Sequence, residues 1–302
     1  MTNAPSVQRA VFADRLLKTV RILAIGNRGS LVLLRSGLNV FGAAWFVYVL
    51  ATSQAIIGFD TISYWLVDPS DLYRWTDSST VAGPFRYSPV LGQLIDPLGM
   101  LPWATFQALF LALTLGTLVI LGGRWALALL LIPSVLGEVY LGNIDLFIAV
   151  SMGLGLLFPP AWAFLLLSKA TPAVVLVWFI ARGEWRKLGL VLGTAAVIAA
   201  PSLLTTPDLW VEWARASTQY ASSTYGLSTI PAIPRLVAAA VLISVGARRG
   251  WVWTIAVGGT LAMPGLDWKT ATTMLAILPL YRLGLLAERW WRTDRPAQPP
   301  NP

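Results

Sequence analysis

Apolar residues fall in long runs separated by short polar connections. The runs lie at about 38–57, 89–101, 104–122, 125–141, 144–158, 161–180, 188–204, 233–245, 252–264 and 270–287. A membrane span takes about 20 mostly apolar residues, so the pattern predicts an all-α, polytopic transmembrane helical bundle of about ten spans. Several runs fall short of that length and are interrupted by Pro89, Pro97 or Pro133. Broken spans of this kind persist only where other helices or a water-filled cavity satisfy the freed backbone groups. Ahead of the first run, Arg9, Arg15, Lys18, Arg21 and Arg28 alternate with Val11, Leu16, Leu17, Val20 and Leu23, the pattern of a basic amphipathic helix on an anionic membrane surface. No short apolar stretch with a small-residue cleavage site precedes residue 30, so the first run reads as an uncleaved signal anchor. The expected organisation is a cytoplasmic basic segment over 1–30, a transmembrane domain over 31–288 and a disordered cytoplasmic tail over 289–302. No internal repeat is evident.

Composition narrows the chemistry. Of 302 residues, 56% are hydrophobic and 12% charged, against roughly a quarter charged in soluble chains, which excludes a soluble enzyme. The chain has no cysteine and no histidine. That removes disulfides, thiolate nucleophiles, iron–sulfur clusters, histidine-ligated metals and the usual triads. Acid–base work falls to carboxylates, lysine and tyrosine, and neither a required metal nor another cofactor is expected. The net charge of +8 is assigned to cytoplasmic loops facing the bilayer, not to nucleic acid. With the amino terminus inside, most of the Lys and Arg residues gather on one side: before the first span, in Arg182–Lys187, at Arg248 and Arg249, and after Arg282. The positive-inside rule then makes both termini cytoplasmic and leaves two long outer loops, 58–88 and 205–230.

The first outer loop is the least membrane-like segment. Asp60, Asp68, Asp71 and Asp77 interleave with Tyr64, Trp65, Tyr73, Trp75 and Tyr87. Carboxylates accept sugar hydroxyl protons and aromatic faces pack on the C–H faces of a pyranose, so the mixture fits a sugar site as well as it fits an ordinary interfacial loop. Ser70 is expected to cap a short interfacial helix over 70–75. Asp60 stands at the mouth of the first span, where partial desolvation makes a carboxylate a stronger base. Lys169 falls inside an apolar run and needs a partner, for which Asp145 and Glu138 are the candidates. Trp210 and Trp213 in the second outer loop are spaced for an interfacial helix over the cavity.

The order of these features resembles a known family. Gly58-Phe59-Asp60-Thr61-Ile62-Ser63-Tyr64 is followed by Phe85-Arg86-Tyr87-Ser88-Pro89 and by Asp96-Pro97-Leu98-Gly99-Met100-Leu101-Pro102-Trp103, then by Gly142-Asn143 and by Lys169-Ala170-Thr171-Pro172. Across roughly residues 38–205 this series is similar to glycosyltransferase family 87, bacterial membrane enzymes of the GT-C fold that transfer mannose and related sugars from polyprenyl-phosphate donors. The resemblance implies that Asp60 is the catalytic base, with Tyr64, Tyr87 and Asn143 in contact with substrate. It also implies a polyprenyl-phosphate sugar donor, a glycolipid or cell-envelope glycan acceptor, the plasma membrane as location and an active site on the outer face. The chain departs from the family pattern in its shorter length and in Pro264-Gly265-Leu266-Asp267-Trp268-Lys269, where members often carry a histidine.

Transfer from such a donor needs a base for the acceptor hydroxyl and fixed cations for the departing phosphate. The cationic candidates are Arg86, Lys269, Arg235 and Lys169. Two other readings fit parts of the chain. A lipid-linked sugar flippase would use the intramembrane Glu138, Asp145 and Lys169, and an inactive assembly protein of the same fold would explain the missing histidine. Substitution of Asp60 separates the enzyme from both.

Overall fold

The computed structural model describes residues 28–53, 57–73, 85–222 and 230–282. The expected basic segment up to residue 27, the tail, and Trp75 and Asp77 lie outside the described residues. Among the described residues every regular element is helical. The α-helices are α1 (Arg28–Thr52), α2 (Phe59–Trp65), α3 (Pro89–Gly99), α4 (Trp103–Gly122), α5 (Pro133–Leu141), α6 (Asp145–Leu154), α7 (Ala163–Leu167), α8 (Val177–Arg182), α9 (Trp185–Thr205), α10 (Pro207–Ser222), α11 (Ala232–Arg249) and α12 (Trp253–Leu261). Tighter 3₁₀ turns at Ala128–Leu131, Pro159–Trp162, Thr171–Leu176 and Thr270–Ala276 link or continue them.

Every apolar run of the sequence contains helix, yet the lengths differ from those expected. Three described helices, α1, α4 and α9, are long and apolar enough to cross a membrane. A fourth crossing results if α5 and α6, bent by 112° at their junction, count together. The run at 233–245 lies within α11, of 18 residues, and the other runs fold as shorter helices and 3₁₀ turns; between 125 and 180, proline at 133, 159 and 172 and glycine at 142 mark where they break. The long helices present apolar side chains outward: Leu33, Val40 and Phe41 on α1, Ile120 on α4, and Val197 and Leu204 on α9 are exposed. Such surfaces suit a lipid environment and no aqueous one.

The protein core forms where the broken helices meet. Trp162 packs against Phe179 with ring centres 4.5 Å apart and planes tilted by 32°, and Ile148, Met152, Leu165, Val175 and Ile255 are fully buried. α11 packs along α12 and α8, and α6 lies against the Thr270–Ala276 turn. α1 docks on the 123–131 segment through Asn39, whose amide donates to the Arg124 carbonyl (2.9 Å) and whose oxygen accepts from the Ala128 N–H (2.9 Å).

Two helices define opposite ends of the bundle. α9 begins beside the basic Arg182–Lys187 stretch and, at 1.5 Å per residue, ends about 31 Å away at Thr206, which accepts a hydrogen bond from Gln93. α11 runs from Arg235 at one end to Arg248 and Arg249 at the other, where Arg182 donates to the Ala247 carbonyl. The basic cluster therefore lies a bundle's length from the 85–93 segment. In the first polar loop, Ser70 does not start a helix. Its N–H (3.0 Å) and hydroxyl (2.6 Å) both donate to Asp68 Oδ1, so Asp68 closes an Asx turn over 68–70, and the described residues 71–73 continue as a turn. Among the described residues of this loop the helix is α2, which carries Asp60. Over the second loop lies α10, with Trp210 donating to Ser202 and Trp213 to the Arg86 carbonyl.

Candidate functional site

Asp60 is held where α2 meets the junction of α5 and α6. Gly58, at φ 74°, turns the chain into α2 and donates its N–H to the Tyr140 carbonyl (2.9 Å). Gly142, at φ 71°, ends α5, and the Thr61 hydroxyl donates to its carbonyl (3.2 Å). Both glycines adopt the left-handed conformation that other residues resist. A Cβ on Gly142 would stand 1.8 Å from Thr61 Oγ1. The two turns thereby bring Asp60 and Asn143 side by side.

The Asp60 carboxylate, 19% exposed, receives two hydrogen bonds on Oδ2. Lys269 Nζ donates at 2.9 Å and Asn143 Nδ2 at 3.1 Å. The orientation of Asn143 follows from its own partners: Oδ1 accepts the Ile144 N–H (2.6 Å) and the Tyr87 hydroxyl (3.3 Å), leaving only the NH₂ end for Asp60. Tyr87 has one proton and gives it to Asn143, so Tyr64 donates across the 2.8 Å contact between the two tyrosine hydroxyls. Burial pushes both phenols well above the ordinary tyrosine value, which keeps them neutral donors. A chain Tyr64–Tyr87–Asn143–Asp60–Lys269 results.

Lys269 reaches this chain because its own loop is fixed. Asp267 Oδ1 accepts the N–H groups of Lys269 (2.8 Å) and Thr270 (3.0 Å) and the Thr270 hydroxyl (3.0 Å), capping the following turn. Trp268 lies on Gly137 so closely that a Cβ there would meet the ring at 2.1 Å. Burial pulls the Lys269 ammonium down, but the charge of Asp60, its hydrogen bond, and then Asp267 outweigh it and hold the group above the ordinary lysine value.

A second cluster lies deeper. Lys169 is ion-paired with Asp145, settling which of its two candidate partners it uses. The Asp145 N–H donates to Glu138 Oε1 (2.6 Å), and the ammonium stands 6.0 Å from the centre of the Tyr87 ring. Ala170, next in sequence, takes φ 49° and ψ −50°, a conformation L-residues rarely adopt.

The remaining sequence candidates are placed apart. Arg86 is exposed, and its backbone carbonyl is the acceptor for Trp213. Arg235 is 3% exposed, and its guanidinium donates to the carbonyls of Ile230 (3.1 Å), Leu261 (3.2 Å), Met263 (2.7 Å) and Pro264 (3.0 Å). Its donors brace the loop that leads to Lys269, so the geometry gives it an anchoring task in place of the expected phosphate contact. Gly137, Thr61 and Asp267 shape the site and were not singled out as site residues by their sequence context. Among the described residues no group of three or more Asp and Glu is arranged to hold a metal ion.

A model of glycosyltransferase family 87 matches residues 85–299. The match begins after Asp60 and Tyr64 and takes in Tyr87, Asn143, Lys169 and the histidine-free loop bearing Lys269. No curated protein and no solved structure matches the chain. With the family model spanning most of its length, the chain belongs to glycosyltransferase family 87.

Proposed function

We propose that the protein moves a sugar from a polyprenyl-phosphate donor to a lipid-linked or cell-envelope glycan acceptor, with inversion at the anomeric carbon and Asp60 as general base. Mannose is carried as the donor sugar by analogy with the family. The observation that supports this most is the pairing at Asp60: a carboxylate open enough to meet an acceptor hydroxyl, oriented by Asn143, with the Lys269 ammonium beside it. Asp60 takes the acceptor proton, the acceptor oxygen attacks the anomeric carbon, and the bond to phosphate breaks. Lys269 meets the charge that develops on the departing phosphate, and the exposed Arg86 is a second candidate at the same end. Tyr64 and Tyr87, both buried, stand behind Asn143 and act on the substrate through its amide. The basic cluster lies at the far end of the bundle, which by the positive-inside rule supports a site on the outer face of the plasma membrane. No metal or other cofactor is part of the proposal.

The test is release of polyprenyl phosphate from labelled polyprenyl-phosphate mannose by the purified protein in lipid, supplied with a crude lipid-acceptor extract. Loss of a general base costs about 10²- to 10⁴-fold, so Asp60→Asn is expected to lose turnover by that factor while still inserting and folding. Wild-type turnover in that variant would remove Asp60 as the base. Absence of both donor binding and turnover in the wild type would overturn the donor class.

A further inference from the structure

Two donors share one oxygen of Asp60, and they differ in kind. Asn143 is neutral, and its amide is fixed from behind by Ile144 and Tyr87. Lys269 is charged and sits on a flexible stem, while its backbone is pinned by Asp267 and by the seat of Trp268 on Gly137. The lysine root cannot move without disturbing that loop, whereas the ammonium can swing about it. Both charged groups are only partly open to water, at 17% and 19% exposure, so each lacks full solvation in exchange for the other.

We propose that Lys269 is a latch on Asp60, released by the phosphate of the donor. Without donor, the ammonium occupies Asp60 Oδ2 and so holds an oxygen that an acceptor hydroxyl would need. An arriving phosphodiester anion competes for the same ammonium. Lys269 turns to it, and Asp60 stays aimed by Asn143 but loses its counter-charge. The acceptor hydroxyl then gives its proton to Asp60, its oxygen forms the new bond to the anomeric carbon, and the electron pair of the broken carbon–oxygen bond goes to the phosphate. The leaving polyprenyl phosphate gains one negative charge, so Lys269 binds it more strongly in the transition state than in the donor. Access to Asp60 Oδ2 and donor occupancy are coupled through one side chain, and the donor must bind before the acceptor can be activated. The inference rests on the proposed donor class.

Infrared difference spectroscopy on the full-length protein in lipid nanodiscs tests it, with polyprenyl phosphate as the probe and Asp60→Asn to assign the band. In the wild type, polyprenyl phosphate is expected to shift the Asp60 carboxylate stretch. Lys269→Met is expected to begin at the shifted position, to show no further change, and to bind the probe about 10- to 100-fold more weakly, the scale of one charged hydrogen bond. Binding by the wild type without a carboxylate shift overturns the latch and leaves the donor class standing. Absence of binding by the wild type overturns both. Binding and a shift without sugar transfer support the latch and tell against only the proposed reaction.

Discussion

Gly142→Ala probes the junction that brings Asp60 to Asn143, and its cost can be worked out from the structure. The residue sits at φ 71° and ψ 51°, where a side chain costs about 1–2 kcal/mol. The added Cβ would stand 1.8 Å from Thr61 Oγ1, and Thr61 is 1% exposed, so the hydroxyl has no open space to enter. Displacing it breaks its bond to the Gly142 carbonyl and strands a buried polar group, at about 1–3 kcal/mol. The variant is therefore destabilised by about 2–5 kcal/mol in total. Thr61→Ala removes the obstructing atom, so in the double variant only the backbone cost should be added to that of Thr61→Ala. A coupling of about 1–3 kcal/mol between the two sites is expected. Thr61→Val is the control: it leaves a methyl where Oγ1 was and should give no relief. Reversible unfolding in mixed micelles against SDS mole fraction, followed by tryptophan fluorescence, reads all of these. Energies for Gly142→Ala and Thr61→Ala that add within about 0.5 kcal/mol would refute the contact.

Three other outcomes are expected. Ala170→Gly should raise stability in the same assay by about 0.5–2 kcal/mol, since relief of a strained backbone outweighs the added freedom of the unfolded chain; a loss of stability would refute the strain. Gly137→Ala should displace Trp268, which is 49% exposed and free to swing outward, at little cost in stability; sugar transfer should fall because Lys269 moves with it, and a variant of full activity would contradict the seating role. Lys269 is raised above the ordinary lysine value by its pairing, so its contribution to stability is complete below the unfolded lysine pKa of about 10.4 and is lost only as pH rises through the higher folded value. Stability followed from pH 7 upward should show no loss assignable to Lys269 below about pH 10; a loss between pH 7 and 9 that disappears in Lys269→Met would refute the pairing.

Much of the helical content was legible because apolar runs leave a helix few alternatives in lipid. The number of crossings was not, since a run's hydropathy is blind to where it breaks. The runs at 125–141 and 144–158 stand on either side of Gly142-Asn143, and nothing in their hydropathy tells whether the pair makes two crossings or, as the 112° bend allows, a single broken one. Asp60 could be read from its place at the end of the first run, and Lys269 from its polar surroundings, but their meeting depends on contacts 209 residues apart that no local pattern encodes. Arg235 misled for a similar reason. An arginine at the mouth of an apolar run looks the same whether it faces a phosphate or, as here, the carbonyls of an unwound loop. Ser70 gives its N–H and hydroxyl to Asp68, and the described residues after it, 71–73, form a turn in place of the expected first helical turn.

The polar residues of the site also answer a demand that has nothing to do with sugars. A helix broken inside an apolar bundle frees N–H groups that lipid cannot satisfy. At this junction four N–H groups in a row have partners. The N–H groups of Gly142 and Asn143 go to the Glu138 carbonyl, that of Ile144 to the Asn143 side chain, and that of Asp145 to the Glu138 carboxyl. Asn143 and Glu138 are thus caps of α6 before they are anything else, which accounts for a carboxyl and an amide so deep in the bundle. The task of Asn143 is divided between the two ends of its amide, the oxygen closing the break and the nitrogen aiming Asp60. The break that defeats a simple count of spans is, on this geometry, the same feature that positions Asp60.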